Sequence, residues 1–129
     1  MAEELQKILY VEDEPDIAEV AKLALETVGG FSVKICNNGI VALAEAPAFK
    51  PQLIMLDVMM PDMDGPTTLK ELRKLSSMDG VPILFMTAKV QPNEVADYKK
   101  LGAVDVIPKP FDPMKLAEQV REIWLREKG

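Results

Sequence analysis

The sequence predicts an α/β fold in which a five-stranded parallel sheet of strand order 2-1-3-4-5 is doubly wound by helices. Five short apolar runs recur along the 129 residues, and each is followed by a polar loop and a segment with helical spacing, as in repeated βα units. The first, third and fourth runs are continuously apolar, which is typical of buried central strands. The second run alternates and the fifth contains Asp105, which is typical of edge strands. The length allows one domain, residues 1–129.

The apolar runs have the length of strands and are bounded by polar or turn-forming residues. They cover residues 8–11, 32–36, 53–56, 83–86 and 104–107. In the order 2-1-3-4-5, the first and third strands are neighbours whose connections leave in opposite directions. A crevice therefore opens at their carboxyl ends, where open α/β sheets bind ligands. We expect the functional residues at this edge of the sheet.

Four of the five expected helices carry a start signal. Proline suits the first turn of a helix because the N–H that it lacks has no helical partner there. Prolines at such positions are Pro15, Pro66, Pro92 and Pro113, the last preceded by the capping residue Asp112.

The first and last helices have apolar stripes that predict packing against the sheet. The fourth helical segment, residues 95–101, has few apolar residues around Asp97, Lys99 and Lys100, so we expect it to be weakly anchored. The stripe of the first helix comprises Ile17, Val20, Ala21, Ala24, Leu25 and Val28, and that of the last comprises Leu116, Val120, Ile123 and Trp124.

The charge balance limits the classes of partner. The chain has 21 acidic and 15 basic residues, a net charge of −6 and a pI near 4.7. This excess of negative charge opposes direct binding to nucleic acid or to an anionic membrane. No apolar run approaches the roughly 18 residues of a membrane span, and the N-terminus is acidic where a secretory signal is basic. We therefore expect a cytoplasmic protein.

Two residue types that often carry chemistry are scarce. Histidine is absent, which removes the commonest metal ligand and general base. The single cysteine, Cys36, excludes an internal disulfide and a cysteine zinc site. Any chemistry must depend on carboxylates, hydroxyls and lysines.

Three carboxylates are expected to converge at the crevice. Glu12 and Asp13 follow the first strand, and Asp57 follows the third. Like charges at close range destabilise one another unless a cation neutralises them. An all-oxygen ligand set favours Mg²⁺ over softer metals. The alternative is that these residues are solvated loop acids, although their position directly after adjacent buried strands favours a metal site.

A hydroxyl and a cation are expected at the same edge. Thr87 follows the fourth strand and Lys109 follows the fifth. Alone, Thr87 could be a turn residue and Lys109 a surface charge. Together with a metal ion and carboxylates they form a plausible phosphoryl-transfer site, where catalysis is mostly positioning and charge neutralisation. Asp57 is the expected nucleophile, which would form an acyl phosphate.

Four strings, taken in order and spacing, resemble the receiver domain of bacterial two-component response regulators. They are ILYVEDEP, IMLDVMMPDMDG, LFMTAK and GAVDVIPKPFDP, and the resemblance spans nearly the whole chain. It implies the CheY-like three-layer fold and a switch that accepts a phosphoryl group from a sensor histidine kinase or a phosphotransfer protein. It leaves the downstream protein partner unidentified, and it allows dimerisation on phosphorylation through the fourth and fifth helices.

The resemblance also implies residue roles. Asp57 would be the phosphorylation site and would bind Mg²⁺ together with Asp13 and the backbone carbonyl of Met59. Glu12 would act through a metal-bound water, and Lys109 would pair with the phosphoryl oxygens. The family further implies that Thr87 is the switch hydroxyl, that Ala88 leaves space for it, and that the bond between Lys109 and Pro110 is cis.

One departure from the family pattern and two neighbours of the site affect the expected behaviour. Val106 stands on the fifth strand where the family usually has an aromatic ring, so we expect Thr87 and the loop into the fourth helix to convey the switch, with Tyr98 as a surface reporter. The resemblance implies that Met59 and Lys89 flank the route by which water reaches the acyl phosphate. Because a thioether cannot orient water as an amide or carboxylate can, we expect slow self-dephosphorylation.

Two other function classes remain open on the sequence. One is an Asp-nucleophile phosphatase of the haloacid dehalogenase type. Such enzymes resemble one another in a second Asp two residues after the nucleophile, where this chain has Met59. The other is a phosphorylation-independent binding module of the same fold, which the joint presence of the five site side chains opposes. The favoured interpretation is a signalling switch that catalyses its own modification.

Overall fold

Strands and helices alternate along the chain, whose computed structural model describes residues 3–128. The strands are β1 (Lys7–Val11), β2 (Ser32–Cys36), β3 (Leu53–Asp57), β4 (Ile83–Thr87) and β5 (Asp105–Pro108). The helices are α1 (Pro15–Thr27), α2 (Gly39–Phe49), α3 (Gly65–Arg73), α4 (Pro92–Leu101) and α5 (Leu116–Lys128), with a short 3₁₀ turn at Ser76–Met78.

The five strands form one parallel sheet of order β2-β1-β3-β4-β5, which confirms the predicted fold class and topology. All five residues of β3 and of β4 are buried, as their continuous apolar sequences predict. The edge strands β2 and β5 are only partly buried. Asp57 pairs with Met86 across β3 and β4, which places the ends of these strands side by side.

Two apolar clusters cover the two faces of the sheet. Successive strand residues point to opposite faces, so each strand supplies both clusters. On one face Tyr10 and Met55 pack with α1 and α5. On the other face Leu9 and Phe85 pack with α2 and α3. Because α1 and α3 follow neighbouring strands and cover opposite faces, the predicted crevice lies at the ends of β1 and β3.

The helix starts agree with the sequence signals at three of four positions. Pro15, Pro66 and Pro92 lie in the first turns of α1, α3 and α4. The expected start at Pro113 is wrong, because α5 begins at Leu116. Asp112 nevertheless acts as a cap: its carbonyl accepts from the amide of Leu116 and its Oδ1 accepts from that of Met114, at 3.0 and 2.9 Å. A turn therefore precedes the helix.

The predicted stripe of α1 is partly wrong. Val20 and Val28 are exposed, and Val28 lies past the last helical residue. The helix turns its small residues toward the sheet because these allow a close approach of the backbone. The buried residues are Ala18, Ala21, Ala24 and Leu25.

The predictions for α4 and α5 are confirmed. No residue of α4 is buried, so this helix is held more weakly than its neighbours. On α5, Leu116, Val120, Ile123 and Trp124 are all buried. Among residues 3–128, no helix combines the length and the apolar character that crossing a membrane requires.

Candidate active site

Three carboxylates meet at the carboxyl edge of the two central strands. Glu12 and Asp13 directly follow β1, and Asp57 is the last residue of β3. Each offers a carboxylate oxygen, and the three oxygens lie within 4.8 Å of one another. Glu12 and Asp57 are buried, with 1% and 5% of their surfaces exposed. The convergence predicted from the topology is therefore present.

Lys109 crosses the sheet edge to reach two of these carboxylates. Its Nζ lies 2.8 Å from Glu12 Oε1 and 3.2 Å from Asp57 Oδ1. The backbone of Lys109 is held by its amide, which donates to the carbonyl of Thr87 at 2.9 Å. Its bond to Pro110 is cis, as expected. Lys109 is thus part of the site and not a free surface charge.

The charges of the site shift one another's pKa. Burial, followed by the charge of Glu12, raises the pKa of Asp57 from 3.8 to about 7. Burial also opposes ionisation of Glu12, but the hydrogen bond and charge of Lys109 outweigh it and lower the pKa of Glu12. The pKa of Lys109 is raised, because the bonds and charges of Glu12 and Asp57 outweigh its desolvation. Without a metal ion, the site holds excess negative charge.

An unpartnered oxygen supports a metal at this place. Asp13 Oδ1 is buried and accepts no hydrogen bond from any residue in the described range 3–128. Such an atom is rare in folded proteins because burial without a partner is costly. One carboxylate oxygen of Asp13 belongs to the group formed with Glu12 and Asp57, and these three side chains offer only oxygen ligands. This ligand chemistry fits Mg²⁺, which prefers carboxylate oxygens and retains several waters.

Thr87 lies at the same edge but does not bond to the carboxylates in this structure. It ends β4, one residue beyond the Met86 that pairs with Asp57. Its side chain is buried, and its Oγ1 accepts from the amide of Lys89 at 3.1 Å. The hydroxyl is therefore hydrogen-bonded to the β4–α4 loop and not to the carboxylates. The side chain of Met59 is 69% exposed and contributes no ligand, so only its backbone carbonyl can serve a metal.

Tyr10 is a site residue that the sequence reasoning missed. It is fully buried on β1, and its hydroxyl donates to Glu12 Oε1 at 2.9 Å. Burial and then the charge of Glu12 raise its pKa, so the hydroxyl stays protonated and acts as a donor. The signal was its place two residues before Glu12, which puts both side chains on one face of an extended strand.

Gly65 is a second residue that was missed. A Cβ at this position would lie 2.6 Å from the carbonyl oxygen of Asp57 and 2.9 Å from the Cα of Val58. The amide of Gly65 donates to the carbonyl of Val58 at 2.9 Å. The start of α3 therefore packs directly on the backbone that carries Asp57. Glycine is needed here because of this close approach.

The region of Val106 contains an aromatic pair on neighbouring elements. Val106 is partly buried and pairs with Phe85 across β4 and β5. The ring of Tyr98, on α4, meets that of Phe85 edge to face, with centroids 5.2 Å apart. Phe85 and Thr87 are two residues apart on β4 and share a face of the sheet. The strand that carries Thr87 thus receives an aromatic contact from α4.

Comparison with known proteins agrees with this geometry. The family model of the response regulator receiver domain matches residues 8–121. The chain belongs to this family. It is the receiver domain of a two-component response regulator. This membership favours the receiver interpretation over a phosphatase of the haloacid dehalogenase type.

The similar proteins are transcriptional regulatory proteins, and the similar solved structure is a response regulator. The chain is 37% identical over 123 residues to the transcriptional regulatory protein CpxR homolog of Haemophilus influenzae, covering 95% of this chain and 52% of the relative. It is 39% identical over 121 residues to the alkaline phosphatase synthesis transcriptional regulatory protein PhoP of Bacillus subtilis, covering 94% and 49%. The chemotaxis response regulator CheY4 of Vibrio cholerae superposes with a TM-score of 0.85 at 30% identity, covering 93% of this chain and 99% of that one.

The chain spans about half the length of the curated relatives that it matches. It corresponds to nearly all of the chemotaxis regulator. Receiver domains of response regulators are a class of domain that interacts with histidine kinases.

Proposed function

We propose that Asp57 accepts a phosphoryl group from a sensor histidine kinase or a phosphotransfer protein, with Mg²⁺ as cofactor. The observation that carries this proposal is the convergence of the Glu12, Asp13 and Asp57 carboxylates within 4.8 Å, with the ammonium of Lys109 bonded to two of them. A nucleophilic carboxylate, a metal site and a fixed cation are the parts that phosphoryl transfer requires.

The residues divide the work of the transfer. An oxygen of Asp57 attacks the phosphorus of the donor phosphohistidine, the P–O bond forms, the P–N bond breaks, and the imidazole leaves with the bonding pair and takes up a proton. Asp13, Asp57 and the backbone carbonyl of Met59 would hold Mg²⁺, and Glu12 would bind through a metal-bound water. The ion, when bound, neutralises negative charge on the phosphoryl oxygens.

Two side chains convert phosphorylation into a change of shape. Lys109 would move its ammonium from the Asp57 carboxylate to a phosphoryl oxygen. Thr87 would release the amide of Lys89 and donate its hydroxyl to the phosphoryl group, pulling the loop that leads into α4. The new charge of roughly −1.5 to −2 drives both movements. Because α4 has no buried residue, a small pull there can alter the surface that a downstream protein binds.

The decisive experiment is intact mass after incubation with acetyl phosphate, with and without Mg²⁺. The wild type should gain one phosphoryl group in a Mg²⁺-dependent manner, and Asp57→Asn should gain none. Asp62→Asn is the matched control, because Asp62 is an exposed carboxylate in the loop after β3 and should leave the gain unchanged. No gain by the folded wild type with acetyl phosphate or with a cognate kinase would support a phosphorylation-independent binding module instead.

Three wider properties belong to the same proposal. Residues 1–129 act as one domain, since each core cluster combines elements from both halves of the chain. A sensor histidine kinase as donor implies a cytoplasmic location. Phosphorylation favours a dimer through α4 and α5, which light scattering with and without the phosphoryl mimic beryllofluoride would detect. The domain itself contacts no nucleic acid, consistent with its net charge of −6.

A further inference from the structure

Tyr10 places a buried hydroxyl on the α1 and α5 face of the sheet, next to the carboxylate cluster. It is fully buried on β1, one residue before the end of the strand, between Ile35 of β2 and Met55 of β3. Its hydroxyl donates to Glu12 Oε1 at 2.9 Å, and Glu12 itself has 1% of its surface exposed. A central strand is among the most rigid parts of a sheet protein, so this donor has a fixed position.

The hydrogen bonds of Glu12 are strongly one-sided. Oε1 accepts from the Tyr10 hydroxyl at 2.9 Å and from Lys109 Nζ at 2.8 Å. Within residues 3–128, Oε2 accepts one contact, from the amide of Glu14 at 3.3 Å, which is longer than an ordinary N–H···O bond. Two short bonds on one oxygen fix the plane of the carboxylate. Oε2 is the less engaged of the two oxygens and keeps acceptor capacity for a metal-bound water.

The two donors to Oε1 differ in what else they must do. Lys109 also contacts Asp57 Oδ1 at 3.2 Å, and phosphorylation would draw it toward the phosphoryl oxygens. The tyrosine hydroxyl bonds to Glu12 and belongs to β1, which does not border the β4–α4 loop. When Lys109 turns away, Tyr10 keeps the carboxylate in place.

We propose that Tyr10 is a positioning residue of the active site: it holds Glu12 in the orientation that directs Oε2 at the Mg²⁺ site, whether or not Lys109 is bonded to Glu12. The proposal rests on the proposed function, because it takes Mg²⁺ as the occupant. Outer partners that orient metal-site carboxylates commonly change metal affinity by 10- to 100-fold when removed. Glu12 acts through water, so we expect an effect near the lower end.

The test uses Tyr10→Phe, which removes the hydroxyl and retains the ring. Calorimetric titration with Mg²⁺ alone, without a phosphoryl donor, should show roughly tenfold weaker binding than the wild type. Tyr98→Phe is the matched control because the chain has two tyrosines and Tyr98 lies on α4, away from the carboxylates. Its Mg²⁺ affinity should stay within twofold of the wild type.

Repeating the Tyr10→Phe change in the Glu12→Gln variant distinguishes an effect of the hydroxyl on Glu12 from an effect on the packing of the fold. In Glu12→Gln the carboxylate is gone, so adding Tyr10→Phe should change Mg²⁺ affinity by less than twofold. The same tenfold loss in both backgrounds would mean that the hydroxyl acts on the fold in general, and the proposal would be wrong. An affinity of Tyr10→Phe equal to that of the wild type would also overturn it.

A measurement that does not depend on the phenylalanine variant completes the test. With tyrosine labelled at the ring carbon that bears the hydroxyl, Glu12→Gln should shift the ¹³C resonance of Tyr10 and leave that of Tyr98 in place. Two unshifted resonances would contradict the bond to Glu12. Failure of the proposed function has a different signature: the wild type would gain no phosphoryl group at Asp57, even where Tyr10→Phe weakens Mg²⁺ binding.

Discussion

The ammonium of Lys109 lies 2.8 Å from Glu12 Oε1, although the two residues are 97 positions apart in the chain. The contact joins the end of edge strand β5 to the end of central strand β1, and it passes over the carboxyl ends of β3 and β4, which lie between them. Lys109 also reaches Asp57, so one partly buried cation faces two buried carboxylates. This cation is a main source of charge balance while no metal is bound, and several predictions depend on it.

Replacing Lys109 by Met should destabilise the metal-free protein at pH 8 by about 3 kcal/mol, because two buried carboxylates lose their cation while the aliphatic stem is retained. Urea unfolding in EDTA measures this loss, and saturating Mg²⁺ should recover part of it. Lys99→Met, an exposed lysine on α4, is the matched control and should cost less than about 0.5 kcal/mol. Equal losses for the two variants would contradict the prediction.

The stability of the metal-free protein should depend on the protonation of Asp57. Its pKa is raised from 3.8 to about 7, so the folded state holds this proton more tightly than the unfolded state. The resulting stabilisation is complete below pH 3.8 and is lost as the pH rises to about 7. The variant Asp57→Asn has no carboxyl at this position, so its stability should not fall with pH for this reason. Its stability relative to the wild type should increase between pH 5 and pH 7, on the order of 1 kcal/mol per pH unit, and level off above that.

Urea unfolding of both proteins in EDTA across this range checks the pH prediction. Asp62→Asn is the control, since Asp62 is exposed and asparagine tolerates its positive φ of 68°. The stability difference of this control from the wild type should be flat with pH. A flat difference for Asp57→Asn as well would show that Asp57 is not the group with the raised pKa.

Gly65→Ala should affect both the fold and the site. The new methyl group would lie 2.6 Å from the carbonyl oxygen of Asp57, so the start of α3 must move away from β3. We expect a loss of about 1–3 kcal/mol in unfolding free energy and weaker Mg²⁺ binding, measured by urea unfolding and calorimetry. Thr67→Ala, exposed on the same helix, should change neither. If Gly65→Ala were destabilised but bound Mg²⁺ as tightly as the wild type, the close contact of α3 with Asp57 would stabilise the fold without affecting the metal site.

Met59→Asn should shorten the life of the acyl phosphate by roughly tenfold, because an amide can orient an attacking water and a thioether cannot. The Met59 side chain is 69% exposed, so the substitution should leave the fold intact. Loss of phosphoryl mass over time, after removal of acetyl phosphate, measures the rate. Met114→Asn tests whether any exposed methionine has this effect, since Met114 is 73% exposed. Equal decay rates of the acyl phosphate in the wild type and in Met59→Asn would show that the Met59 side chain does not slow its hydrolysis.

Val106→Tyr should restore a ring on β5, beside the Phe85 that Tyr98 contacts. We expect the ring to alter the shifts that beryllofluoride induces in α4 and to change the affinity for the downstream partner. Amide spectra with and without beryllofluoride give the first readout. Val104→Tyr is the control: it adds the same ring two residues earlier in the chain and should leave the beryllofluoride-induced shifts in α4 as in the wild type. If Val106→Tyr left both readouts as in the wild type, position 106 would have no part in switching.

The pattern along the chain was sufficient for the architecture and for the grouping of most candidate site residues. Continuous and alternating apolar runs reflect whether a strand is covered on two faces or lies at an edge, so they predicted the strand order. That order brings the residues after β1, β3, β4 and β5 to one edge. Glu12, Asp13, Asp57 and Lys109 could therefore be grouped before any distance was known.

Other features of the helices were not predicted. Asn38 starts α2 by accepting from the amide of Val41, a cap that could have been read from its side chain. The delayed start of α5 and the exposed Val20 depend on how each helix sits on the sheet. Periodicity shows which residues share a helix face but does not show how that face is turned toward its neighbour.

The sequence alone determined the α/β class, the strand order and the grouping of acids, hydroxyl and lysine at one edge, because these follow from hydrophobic periodicity and from the rule that parallel strands end on the same side. Only the tertiary structure decided that Tyr10 donates to Glu12, that Lys109 bonds to two carboxylates at once, and that α3 touches the backbone of Asp57 at Gly65. The contacts of Lys109 and of Gly65 depend on close packing between elements that are distant in the chain, and the bond of Tyr10 to Glu12 depends on side-chain orientations that their spacing allows but does not fix.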